Sequence, residues 1–306
     1  MSRGRVYAAL VAVQVIFGVH YFAAKLVLAM MPPRAWAAIR ITGAAALLMG
    51  YNLLFPRRHP RAADLGRIAL YALFGVVINQ ILFVEGLSRT TPSHSAVINS
   101  LIPVFTLGFA LLLGQERPTR ARWASIAVSF ASVLVLLRVE SFRPSDELVL
   151  GDLLTLANAG SFSLFLVLSR GFLRRSDPLA ATAWLLCFGA AGILAVGAGP
   201  LARLSLGSLP ARFWWLAGYS ILFATVVAYF LNYYALRHTD SSLVALFIYM
   251  QPPIATGLSM LFLGERPTPR FWIATAGIFS GVYLAVRERG RIADLVERRE
   301  EAVVEA

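Results

Sequence analysis

Leu111-Leu112-Leu113-Gly114-Gln115-Glu116-Arg117-Pro118-Thr119 returns, one residue shorter, as Leu261-Phe262-Leu263-Gly264-Glu265-Arg266-Pro267-Thr268. Each copy follows a long apolar stretch with proline near its middle, Pro103 in the first and Pro252-Pro253 in the second, and each leads to a tryptophan, Trp123 or Trp272. Gln115 is the one inserted residue. The upstream flanks agree: Leu87-Ser88-Arg89-Thr90-Thr91-Pro92-Ser93 reads against Leu236-Arg237-His238-Thr239-Asp240-Ser241. A motif of this length in equivalent surroundings implies a duplication, each copy covering about half the chain, far longer than a solenoid unit.

The turn itself has a mechanical reading. Gly264 suits the end of a helix, and Thr268 before Pro269 supplies an N-cap residue and a proline at the first helical position. Trp123 and Trp272 suit a membrane–water interface. Glu116 and Glu265 are expected to pair with arginine or to cap backbone donors rather than to carry catalysis or coupling.

Working outward, 58% of the 306 residues are hydrophobic and 14% are charged, against about 25% charged in soluble domains. The charge gathers between apolar runs, so the chain reads as a polytopic all-α membrane protein. The net charge of +12 would suggest a nucleic-acid partner in a soluble protein; here arginines in loops setting topology are sufficient. Lys25 is the one lysine, and Cys187 the one cysteine, which excludes disulfides and cysteine metal sites within the chain. Arg3 and Arg5 before an apolar run resemble a signal peptide, yet the run is long, contains Lys25 and lacks a small-residue cleavage site, so it is expected to stay as a first helix.

A helix needs about 20 apolar residues to cross a bilayer. Ten stretches qualify, at approximately 6–29, 34–55, 67–88, 92–113, 119–138, 150–172, 178–198, 212–236, 241–263 and 269–287. The seventh is the weakest because Gly189, Gly192, Gly197 and Gly199 dilute it. With the N-terminus in the cytoplasm, inside segments hold more than twice as many arginines as outside ones, which places both termini inside an inner (plasma) membrane. Five spans per copy is odd, so the halves at 1–141 and 142–287 must insert with opposite orientation, leaving 288–306 as a charged cytoplasmic tail. Inverted repeats of this kind occur in secondary transporters that bind cargo at the midplane.

The repeated turn, the Ala235-Leu236-Arg237-His238-Thr239 approach to span nine, the mid-span prolines Pro103 and Pro253, and the opening Phe17-Gly18…Lys25 with Arg40 resemble the EamA family of the drug/metabolite transporter superfamily. The resemblance covers nearly the whole chain. It implies ten helices in two inverted halves around a central cavity, and export of amino acids or small metabolites; it does not specify the substrate.

Ionisable groups inside a span are costly and point to function by default. Lys25, Arg40 and Glu85 fall at similar depth, either as an ion pair or triad locking the outer ends or as a surplus cation for a substrate carboxylate. Aligning Pro33 with Pro178 sets Leu185 opposite Arg40, so the repeat does not itself require that charge. Proline frees the carbonyl four residues earlier, here those of Asn99, Ile248 and Tyr249, and such carbonyls need a cavity, water or a neighbouring helix. Pro103, Pro252 and Pro253 are thus expected to kink their helices and line a cavity, with Asn99, Tyr249 and Gln251 beside them. Gln14 and His20 of span one, Asn79 and Gln80 of span three, Asn158 of span six and Tyr229 of span eight complete the polar set. Each alone is commonly interhelical glue worth about 0.6–2 kcal/mol. His20 is most simply a neutral hydrogen-bonded ring, though a proton there could couple transport.

No Walker A, His-Glu-x-x-His or dinucleotide fingerprint occurs, so no cofactor, ATP drive or metal hydrolysis is implied. The expected partners are a small-molecule substrate, the lipid bilayer and protons as a candidate coupling ion, in a monomer or homodimer. Rival readings are a carrier of organic cations, nucleotide-sugars or lipid headgroups, a membrane enzyme acting on lipid, or a scaffold. The scattered His20, His59, His94 and His238 disfavour the enzyme.

Overall fold

The computed structural model describes residues 3–55, 59–116, 118–137, 146–228, 231, 235, 247–284 and 287. Among them every regular element is helical. The bundle runs α1 Arg3–Leu28, α2 Pro33–Leu54, α3 Ala62–Arg89, α4 Pro92–Asn99, α5 Ile102–Leu112, α6 Arg120–Leu136, α7 Glu147–Arg175, α8 Pro178–Ala202, α9 Ala211–Val227, α10 Gln251–Phe262 and α11, 269–284. Six helical stretches are long and apolar enough to cross a membrane: Gly4–Leu28, Pro33–Leu54, Ala62–Arg89, Pro92–Leu112, Glu147–Phe172 and Leu179–Ala202; Ala211–Val227 is apolar but shorter. Tyr229 and the tail from 288 lie outside the described residues.

Local chemistry sets the helix starts. Pro33, Pro92 and Pro178 occupy first-turn positions, where a missing N–H costs nothing. Thr91, Asp146 and Asp177 accept hydrogen bonds from first-turn amides. The glycine-diluted seventh stretch forms a 25-residue helix, and three of its glycines, Gly189, Gly192 and Gly197, are contact points: a Cβ on Gly192 would stand 2.6 Å from Val77 of α3.

Both copies of the repeated turn fold alike. Gly114 and Gly264 take φ of 67° and 65°, and Thr119 and Thr268 each accept a backbone N–H at 3.3 Å. Replacing Gly264 with alanine is expected to lower stability by about 1 kcal/mol, from the left-handed backbone alone. Thermal unfolding in detergent checks this; an unchanged midpoint would mean the turn relaxes freely.

Pro103 breaks its helix rather than kinks it. α4 stops at Asn99, a tight turn at Ser100-Leu101 follows, and α5 starts at Ile102 with Pro103 in its first turn. In the second half a 3₁₀ turn, Ile248–Met250, precedes α10, which carries Pro252 and Pro253 in its first turn. Proline tolerates a helix start but not an interior, so restarting the helix resolves the clash that a kink would retain.

Packing occurs in matched sets. α2 lies along α8; α1 packs on α10 as α7 packs on α4 and α5; α3 packs on α7 as α9 packs on α1. Six-residue π turns widen α3 at Leu73–Ile78 and α9 at Leu222–Val227. α6 meets α11 along Ser125, Ser129 and Ser132, which face Gly277 and Gly281, and Ser125 Oγ donates to the Gly281 carbonyl at 2.6 Å. Small residues let backbones approach where lipid offers no hydrophobic drive. The main core centres on Trp36 of α2, fully buried and edge-on to Phe213 of α9. Leu54, Leu112, Trp215 and Leu261 are largely exposed, as lipid-facing side chains are.

Candidate functional site

Two polar regions lie inside the bundle. The first sits at the end where α1 finishes and α4 begins. Lys25 Nζ donates to the carbonyls of Leu87, Ser88 and Thr90 at 2.8, 3.0 and 2.6 Å. Glu85 pairs with Arg34 at 2.9 Å and Arg89 at 2.7 Å, and Arg89 reaches Glu147 at 3.2 Å. The expected Lys25–Arg40–Glu85 triad therefore does not form. The carboxylate has two nearer arginines, one a single helical turn away, and Lys25 finds carbonyls at the frayed end of α3.

Asp152 of α7, 1% exposed, is reached by Thr90 Oγ1 and by His94 Nδ1, the latter at 2.8 Å. Ser93 Oγ donates to Glu265 at 2.7 Å. The two copies of the repeated carboxylate thus differ. Glu116 pairs with Arg122 of its own half at 3.0 Å, as expected, whereas Glu265 joins the opposite half.

The second region lies deeper. Gln251 Nε2 donates to Gln14 Oε1 at 2.6 Å, bridging α10 and α1. Asn158 Nδ2 donates to the Asn79 carbonyl at 2.7 Å, Asn79 Nδ2 to the Asn158 carbonyl at 3.4 Å, and Gln80 Nε2 to Asn79 Oδ1 at 2.8 Å. These bonds are the interhelical glue of α3 and α7. Around His20 the pattern changes. His20 is 4% exposed and stacks on Phe83 at 6.0 Å, with neither ring nitrogen bonded. Arg40, also buried, lies within its electrostatic reach. Tyr21 meets Phe83 edge-on at 5.8 Å and shares a side-chain hydrogen bond with Asn99. Asn99 Oδ1 and the Tyr249 hydroxyl are buried without partners. Each such group costs about 1–3 kcal/mol when it stays unpaired.

The bundle brings His20, Arg40 and Asn99 into one neighbourhood, joins Gln14 to Gln251, and engages Asn79 and Asn158 with each other. Lys25 and Glu85 have structural partners. Pro252 is buried and Pro253 exposed. A groove of about 400 Å³ on α11, lined by Phe279, Ser280, Tyr283 and Leu284, contains none of the predicted residues. Sequence reasoning missed Asp152 and Ser93. An aspartate five residues into an apolar helix, in the Gly151-Asp152 pair, was the available signal.

A profile of the EamA-like transporter family matches residues 4–138 and again 149–287. The "Uncharacterized inner membrane transporter YedA" of Escherichia coli K12 is 26% identical over 280 residues, 91% of this chain and 89% of that protein. The "Uncharacterized transporter YyaM" of Bacillus subtilis 168 is 24% identical, covering 85% of this chain and 86% of the relative. A solved structure, titled "Crystal structure of protein", superposes with a TM-score of 0.63 at 21% identity, over 95% of this chain and 99% of its own; it speaks for the fold. Relatives named as transporters rather than enzymes fit a multi-pass bundle with a buried polar interior. With the profile matching both halves, the chain belongs to the EamA-like transporter family.

Proposed function

We propose that this membrane transporter is a secondary carrier of ten spans in two inverted five-helix halves. It moves amino acids or similarly sized metabolites outward by alternating access, with both termini in the cytoplasm. The matched packing pairs, the π turns at matching places, the helix break after Asn99 and the 3₁₀ turn before Gln251 support the inverted arrangement. Discontinuous helices at a repeat interface are where such carriers hold cargo.

The observation that carries the cargo assignment is His20, buried beside Arg40 with both ring nitrogens unbonded. Its two unbonded nitrogens and the neighbouring Arg40 guanidinium, a group that suits bidentate contact with carboxylates, receive the carboxylate of a zwitterion. Asn99, Tyr249 and the Gln14–Gln251 bridge border the remainder.

The test is flux from proteoliposomes preloaded with a labelled amino-acid panel, with and without an imposed pH gradient. Saturable flux of one or a few amino acids is expected. A response to the gradient would identify proton coupling, and indifference a facilitated path. Silence across the panel from verifiably folded protein would overturn the amino-acid assignment in favour of cations, lipids or nucleotide-linked cargo.

A further inference from the structure

Outside the cargo site, Thr90, Ser93 and His94 of the first half meet Asp152 and Glu265 of the second at the Lys25 end, beside the Arg89–Glu147 pair. Ser93 and His94 are successive residues in the first turn of α4, whose N-cap is Thr91. Ser93 is held to Glu265 and His94 to Asp152, and both partners belong to the second half. Thr90, just before the cap, donates to Asp152 through its hydroxyl, while its carbonyl accepts from Lys25. The first turn of α4 carries the Ser93 and His94 ties, and the halves cannot part at this end without breaking them together with the Thr90–Asp152 and Arg89–Glu147 contacts.

We infer that this end is a proton-sensitive latch: Ser93–Glu265 and His94–Asp152 hold it shut, and the charge on His94 sets how firmly.

The charges around the pair identify which group varies. On α1, Lys25 stands one residue from Asp152 through Thr90, and it also interacts with Glu265. On α3, Glu85 and Arg89 are tied to Arg34 and Glu147. On α7 the facing groups are Glu147 and Asp152. The hairpin brings Glu265 and Arg266, and α11 brings Arg270 together with Phe271, which stacks on His94 at 5.4 Å. α10 contributes no ionisable side chain. Asp152 accepts from the Thr90 hydroxyl and meets the His94 imidazole, the side chain that ordinarily titrates between pH 5 and 8.

With a neutral ring, the Nδ1–H donates a hydrogen bond that the carboxylate charge already assists. With a proton added, the same contact becomes an imidazolium–carboxylate pair and gains the attraction of a second charge. Acid thus favours the latched state and alkali loosens it. On the topology proposed above, this end faces the exterior, so external acid would hold the carrier closed to the outside. His94 is partly accessible, with 16% of its side chain exposed, and can receive that proton without opening the bundle.

The role in a transport cycle rests on the carrier reading, but the test does not require a substrate. In full-length protein with Cys187→Ser, spin labels are placed at Ala29→Cys and Arg266→Cys, exposed turn positions of opposite halves. The distance distribution is recorded in lipid nanodiscs from pH 8 to pH 5. The ratio of short to long distances is expected to rise about fivefold, the population change expected when an ion pair replaces a hydrogen bond with one charged partner. In His94→Gln and in Asp152→Asn the ratio should be independent of pH. Melting temperatures confirm that each variant is folded. A flat response in the parent protein overturns the latch, whatever the flux assays give. A response that survives both substitutions moves the proton elsewhere and equally overturns the assignment to His94.

Discussion

Arg40→Gln is expected to lower saturable amino-acid flux about a hundredfold while moving the melting temperature by no more than about 2 °C. The first figure follows from removing a buried charged contact made to cargo, about 3 kcal/mol in transition-state terms. The second follows if the guanidinium serves the cargo rather than the fold. Its companion is His20→Phe, which preserves the stack on Phe83 and removes both ring nitrogens. That variant should lose about tenfold in flux and gain slightly in stability, because two unbonded buried atoms disappear with the ring. Flux and thermal unfolding on the same preparations check both. A fall in melting temperature that tracks the loss of flux would make Arg40 a structural residue.

Lys25→Met should do the opposite. Methionine fills nearly the same volume but leaves the carbonyls of Leu87, Ser88 and Thr90 without their shared donor. At about 1 kcal/mol or more for each deprived acceptor, the loss is about 3 kcal/mol, read as a melting temperature lower by roughly 8 °C. Apparent affinity for cargo should stay near that of the parent. If the variant melts normally and transports nothing, Lys25 contacts cargo directly and the carbonyls are a resting site for an idle ammonium.

The two substitutions separate what the sequence alone leaves together. Lys25, Arg40 and Glu85 are legible from sequence as intramembrane ionisable groups at similar depth, since charge within an apolar run is visible at once. Their partners are not. Glu85 is neutralised by its i+4 neighbour Arg89, which helical spacing could have marked, and by Arg34, 51 positions away, which no periodicity distinguishes from Lys25 or Arg40. The helices and the repeated turn were readable because their causes are local: apolar length, Gly114 and Gly264, and the capping threonines. The proline break was half readable. Pro103 announces a disturbed helix, but whether it bends or restarts depends on how the neighbouring helices accept the freed backbone. The Asp152–His94 and Ser93–Glu265 contacts span 58 and 172 positions, and only the packed bundle brings their ends together.

The widened turns in α3 and α9 also have a chronology. A π turn is an extra residue lodged in a helix, and here one occupies the same place in each half, Leu73–Ile78 and Leu222–Val227. On the duplication reading, that shared insertion predates the divergence of the two copies. Gln115, found in one hairpin and missing from the other, was added or lost as the copies diverged. The helical distortion is then older than the difference between the two ends.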